Sequence, residues 1–153
     1  MTDEEIRVRK LRYTFLEMWE ADAGYVTMGN DAMRAIMSTA LSKIPQEVAD
    51  AVSDDCLLLV FMREEQGCYL PHELVRDKAI LGFSETIISM QPEEAEKLLL
   101  HEVAHYWLKH RSPMLDDLSN AQYEQQEREA ADLVKRWLAE AAADQDGAEP
   151  PAR

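Results

Sequence analysis

The stretch LLLHEVAHYWLKH, Leu98–His110, decides both how this chain folds and where its chemistry lies. Pro92 stands upstream at a first-turn position, Glu93, Glu94 and Glu96 place acids where a helix dipole favours them, and Ser112-Pro113 closes the pattern. The spacing therefore predicts a helix over 92–110. Its middle is apolar nearly all round, the mark of a helix buried at the centre of a domain. Set into that apolar segment is His101-Glu102-Val103-Ala104-His105, an HExxH motif. Four helical residues turn through about 400°, which leaves the two imidazoles about 40° apart on one face, able to bind one ion together. Glu102 stands about 100° from His101, near enough to act on a metal-bound water without being a ligand. Two unpaired imidazoles and a carboxylate buried together would each carry a desolvation cost of roughly a few kcal/mol, and a zinc ion removes that cost.

Zinc of this kind takes a third protein ligand and leaves a fourth position to water. The pattern over 122–143 predicts a final helix whose apolar stripe runs Tyr123, position 127, Ala130, Val134, Trp137 and Leu138. Position 127 is Glu. A carboxylate on a core-facing stripe requires a partner, which makes Glu127 the expected third ligand, with a neighbouring acid as the alternative. Glu124 and Glu129 project away from the stripe and read as solvated. His110 competes for the role, but in a regular helix it lies about 900° beyond His101, on the opposite face, and Leu108 stands where a chain-turning glycine would be needed.

Earlier in the chain, Ile6, Leu11, Phe15, Met18 and Trp19 recur at helical spacing from Thr2 to about Ala23. Met33, Ile36, Met37, Ala40 and Leu41 form a second helical stripe that stops before Ile44-Pro45, and Gln46 to Val52 predicts a short third helix. The continuous apolar run Cys56–Met62 predicts a buried central strand, while Ala79–Phe83 and Thr86–Ser89 read as two short strands separated by Ser84-Glu85. The expectation is a single domain over 1–143, with a small sheet of three to four strands among helices, and a disordered, solvated tail over 144–153.

The 153 residues are 46% hydrophobic, enough to bury a core. Acidic residues number 30 and basic residues 16, giving a net charge of −14, which argues against nucleic acid or an anionic membrane surface as the main partner. No apolar run approaches the roughly 20 residues of a membrane-spanning helix, and the opening MTDEEIRVRK lacks the apolar stretch of a secretory signal, so the chain reads as cytoplasmic. Cys56 and Cys68 are the only cysteines and read as packing residues in a reducing compartment.

LLLHEVAHYWLKH, a polar loop and then EREAADLVKRWL together resemble the small ImmA/IrrE-type metallopeptidases, in which an HExxH helix is followed by a helix of the form ExEANxFAxxLL. Ala131, Leu133 and Val134 depart from that form, which has Asn, Phe and Ala there. The resemblance implies an α+β, zincin-like fold: a mixed sheet packed with N-terminal helices, a central HExxH helix and a C-terminal helix. It implies a zinc metalloendopeptidase in which His101, His105 and Glu127 hold Zn2+ and Glu102 is the general base. The implied substrate is a regulatory protein such as a repressor or antitoxin. An extended peptide is expected to add to a sheet edge, for which Thr86, Ile87, Ile88 and Ser89 are the candidate strand. Tyr69, His72 and Tyr123 are candidates to hydrogen-bond an oxyanion. The competing classes are a catalytically inactive, zinc-stapled interaction module, which would have no use for Glu102, and a metal-free helical partner protein, which the position of Glu127 argues against.

Overall fold

Met33, Met37, Ala40 and Leu41 lose all their exposed surface along one stripe of the first described helix, α1 (Asp31–Ser42). The computed structural model describes residues 31–61, 67–75, 78–113 and 115–147; the helix expected over Thr2–Ala23 lies outside them. Ile44 and Pro45 break the helical path, and Pro45, extended at φ −53° and ψ 140°, opens α2 (Gln46–Asp55). Proline suits this place because the start of a helix needs no N–H from it. Val48, Ala49 and Val52 turn inward, and α2 runs straight into an extended Cys56 with no intervening loop.

Three strands form one mixed sheet: β1 (Cys56–Phe61), β2 (Gly67–Val75) and β3 (Lys78–Ser84), in the order β1-β3-β2. β1 runs parallel to β3, Cys56 opposite Ala79 and Phe61 opposite Ser84, whereas β2 is antiparallel to it, Gly67 opposite Phe83. The pairing of β2 slips between Leu70 and Val75, where Pro71 has no N–H to give to the ladder. The order corrects the expectation that Cys56–Met62 is the central strand. Among the described residues β1 pairs on one side only, and β3 is the strand held on both sides. Continuous apolarity reports how well the faces are covered, and α2 packs on β1; it does not report how many neighbours a strand has. Ala79, Leu81 and Phe83 are fully buried on the core side of β3.

Thr86–Ser89 is not a strand. Glu85–Ser89 closes as a 3-10 turn: the Ser84 hydroxyl accepts from the Thr86 N–H at 3.3 Å, and Met90 N–H returns to the Ile87 carbonyl. Ile87 is fully buried while Thr86 and Ser89 are exposed, so the residue faces do not alternate as they would in a strand. The β-branched residues suggested extension, and the cap of the buried Ser84 overrides that preference.

α3 (Pro92–Trp107) follows, with Gln91 as N-cap, Pro92 at its start and Glu93 and Glu94 in its first turn. It packs against α1, β2, β3 and the last helix, as an all-round apolar helix must. Two polar contacts fix its ends. Glu96, nearly buried, pairs with Lys43 beyond α1, and Tyr106 donates to Asp55 at the end of α2 at 2.9 Å.

α4 (Asn120–Gly147) starts two residues earlier than its apolar stripe suggests. Ser119 and Gln122 cap it reciprocally: Ser119 Oγ accepts from the Gln122 N–H at 3.2 Å, and Gln122 Oε1 accepts from the Ser119 N–H at 3.0 Å. Ala130, Leu133, Val134 and Trp137 bury against the core. The helix also continues through residues 144–147, where the run Ala141-Ala142-Ala143 propagates it, so the expected disorder does not begin at 144; residues 148–153 lie outside the description. The architecture is α+β. Among the described residues no helix is long and apolar enough to cross a membrane.

Candidate metal centre

The regular turn of α3 brings His101 and His105 onto one face, their rings 4.7 Å apart and nearly perpendicular, with the two Nε2 atoms 3.1 Å from each other. α4 lies alongside, and its second turn delivers Glu127: Oε2 stands 2.9 Å from His101 Nε2 and Oε1 3.1 Å from His105 Nε2. Donors bonded at about 2.0–2.1 Å to a tetrahedral ion are separated by roughly 3.3 Å, close to this spacing. The three side chains can therefore hold a metal ion, all donor atoms lying within 4.8 Å of one another. Hydrogen bonds from both imidazoles hold the Glu127 carboxyl well below the usual carboxylate range. Its bond to His101 raises that imidazole against the effect of burial, while burial lowers the deeper His105.

Glu102 stands beside this group with 7% of its surface exposed. Burial pushes its carboxyl up to about 7; His101 opposes the shift and the negative Glu127 adds to it. Of the three residues expected to assist at an oxyanion, Tyr69 is buried on β2 with its ring stacked over His105 at 6.4 Å. Tyr123 lies one turn before Glu127 and is 44% exposed, and the charges of Glu127 and Glu102 with partial burial raise its hydroxyl pKa. His72 lies on β2, and its side chain is outside the described residues. Thr86–Ser89 forms the 3-10 turn and offers no strand to a peptide.

His110 and Glu129 are the residues that the sequence pattern did not bring to the site. α3 ends at Trp107, and Lys109 takes a left-handed conformation, φ 55°. The N–H of Lys109 then reaches the Tyr106 carbonyl at 3.1 Å and that of His110 the His105 carbonyl at 3.0 Å, the paired bonds of a Schellman turn. This turn ordinarily sets a glycine in the left-handed position and brings together the side chains three residues before and two after the helix cap. Here those side chains are His105 and His110, and their Nδ1 atoms lie 2.8 Å apart. His110 Nε2 continues to Glu129 Oε2 at 2.8 Å, and the Glu129 carboxyl is held low by that bond and by a second from Gln125. The regular-helix expectation placed His110 on the opposite face because it looked for glycine at 108, whereas the turning residue is Lys109. No protein-family model, curated protein or solved structure matches this chain.

Proposed function

We propose that this chain is a zinc-dependent metallopeptidase of the ImmA/IrrE type, zincin-like in fold, that cuts a peptide bond in a protein substrate such as a repressor or antitoxin. The observation that carries the reading is the division of labour within one cluster. Three side chains from two helices converge as donors, and a fourth, Glu102, is buried against them without being one of them. A structural zinc site needs no such acid.

His101, His105 and Glu127 would hold the ion, and the His2Glu donor set is one that zinc accepts. Bound there, the ion would supply Lewis acidity, acidifying water and polarising a carbonyl. Glu102, with a carboxyl poised about 7, suits the task of taking the proton from the attacking water as the oxygen–carbon bond forms. It then gives that proton to the amine nitrogen as the carbon–nitrogen bond breaks. Tyr123, which feels both acids of the cluster, is the side chain to hydrogen-bond the developing oxyanion. The outer edge of β2 is where an extended substrate would add, since β2 carries Tyr69 over His105 and pairs with β3 alone among the described residues.

The test has two arms. Protein purified without chelator is expected to carry one equivalent of zinc by elemental analysis, lost in His101→Ala. Incubated with a library of unstructured peptides, the zinc-loaded protein is expected to generate new termini detectable by mass spectrometry, and His101→Ala none. A chain that binds no stoichiometric metal, or that binds zinc and cuts neither peptides nor captured protein partners, refutes the peptidase reading.

A further inference from the structure

Each hydrogen bond behind His105 leaves a choice of which nitrogen carries the proton, and Glu129 at one end with an ion at the other would remove that choice. Glu129 is 47% exposed, so water keeps its carboxylate ionised and able only to accept. The 2.8 Å contact to Glu129 therefore requires the proton of His110 on Nε2. An ion bound at His105 Nε2 would occupy that lone pair and leave the ring proton on Nδ1, from which the 2.8 Å contact reaches the Nδ1 lone pair of His110. His105 Nε2, which lies 3.1 Å from both Glu127 Oε1 and His101 Nε2, would then turn its lone pair to the ion, the form a metal ligand needs.

We propose that His110 and Glu129 are positioning residues which set the tautomer and ring orientation of His105 and so raise the affinity of the site for its ion. The inference rests on the metal-centre reading above and adds to it two residues that touch neither ion nor substrate. The backbone supports it independently, because the Schellman turn that ends α3 fixes His105 and His110 side by side. Both imidazoles are nearly buried, so water does not compete for the bond between them, while Glu129 opens onto a polar cleft with Arg111, Gln122 and Gln126 along its walls.

The test is the zinc dissociation constant of the full chain, measured by competition with a chromophoric chelator, together with the histidine tautomers read from long-range 1H–15N NMR correlations. His110→Ala is expected to bind zinc about 10–100-fold more weakly, the usual loss on removing such a partner of a ligating histidine. His110→Asn restores an acceptor where Nδ1 stood and is expected to recover most of that loss, which a merely space-filling role for the ring would not give. Glu129→Ala, at a half-exposed surface position that leaves the fold intact, is expected to weaken binding roughly three- to tenfold and to let His110 populate both tautomers. In the zinc-loaded wild type His110 should show the Nε2–H form alone. Wild-type affinity in both His110→Ala and Glu129→Ala, or an Nδ1–H proton on His110 in the zinc-loaded wild type, overturns this inference and leaves the metal-centre reading standing. Failure of the wild type to bind zinc at all overturns both.

Discussion

Glu96 and Glu102 sit six positions apart on the same helix and are equally buried, at 8% and 7% exposure, yet they do opposite things. Glu96 closes an ion pair with Lys43 and ties α3 to the end of α1. Glu102 makes no ion pair among the described residues; its neighbours are an imidazole that pulls its pKa down and a second carboxylate that pushes it up. Burial alone therefore does not mark a functional acid. A buried charge closed by one partner is part of the scaffold, and a buried charge left with conflicting neighbours costs stability, which is the setting the proposed general base would need.

The largest expected effect tests the second half of that contrast. Glu102→Gln keeps the side chain's shape and removes its basicity, so zinc stays bound while turnover of a cleaved peptide falls by roughly 100-fold or more, as for a lost general base. In the metal-free protein the same change should raise the melting temperature, since it removes a buried carboxylate with no cation to match it. Undiminished cleavage by Glu102→Gln would erase the distinction between the two acids. Removing the metal should act next in size. At free zinc of about 100 times the dissociation constant the bound ion stabilises the fold by about 2.7 kcal/mol, so a chelator should lower the melting temperature. Hydrogen exchange should quicken in the first turns of α4 before it quickens around Lys43 and Glu96, and uniform loosening would show that the ion is not what joins α3 to α4.

Glu96→Gln should move in the opposite direction to Glu102→Gln. It leaves Lys43 without its anion and is expected to destabilise by about 1–3 kcal/mol in denaturant titrations, with zinc affinity unchanged. The smallest effect concerns the turn after α3. Lys109→Gly places the favoured residue in the left-handed position and should stabilise by roughly 1 kcal/mol or less while keeping the zinc affinity that depends on His110. A fall in affinity would mean that the lysine side chain, rather than the backbone path, holds the turn together.

Much of the site was legible before the fold was known, for a reason of geometry. His101, Glu102, His105 and Glu127 lie inside helices, where the 3.6-residue period fixes which side chains share a face. What lay at the ends of elements was not. His110 is placed by one positive φ at Lys109, a residue type that gives no warning of it, and Glu129 matters only because His110 arrives there. In the sheet the same limit appears twice. Thr86-Ile87-Ile88-Ser89 has the composition of a strand and is bent by a serine cap two residues before it. The apolar run at β1 conceals that β3 occupies the centre. Periodicity reads the interiors of elements; caps, turns and strand neighbours depend on single atoms or on distant sequence, which a local pattern does not contain.

The length of α4 has a practical use. Glu127 lies near its start and Gly147 at its end, twenty residues on, about 30 Å along a helix axis at 1.5 Å per residue. Past Leu138, the last residue packed on the core among the described ones, side chains 139–145 are exposed save the half-buried Ala141, so these turns make a lightly packed rod. A dye or spin label attached there would sit at a fixed, known separation from an ion at the donors. With cobalt or copper in place of zinc, energy transfer or dipolar coupling along that rod would report occupancy of the centre without a substrate.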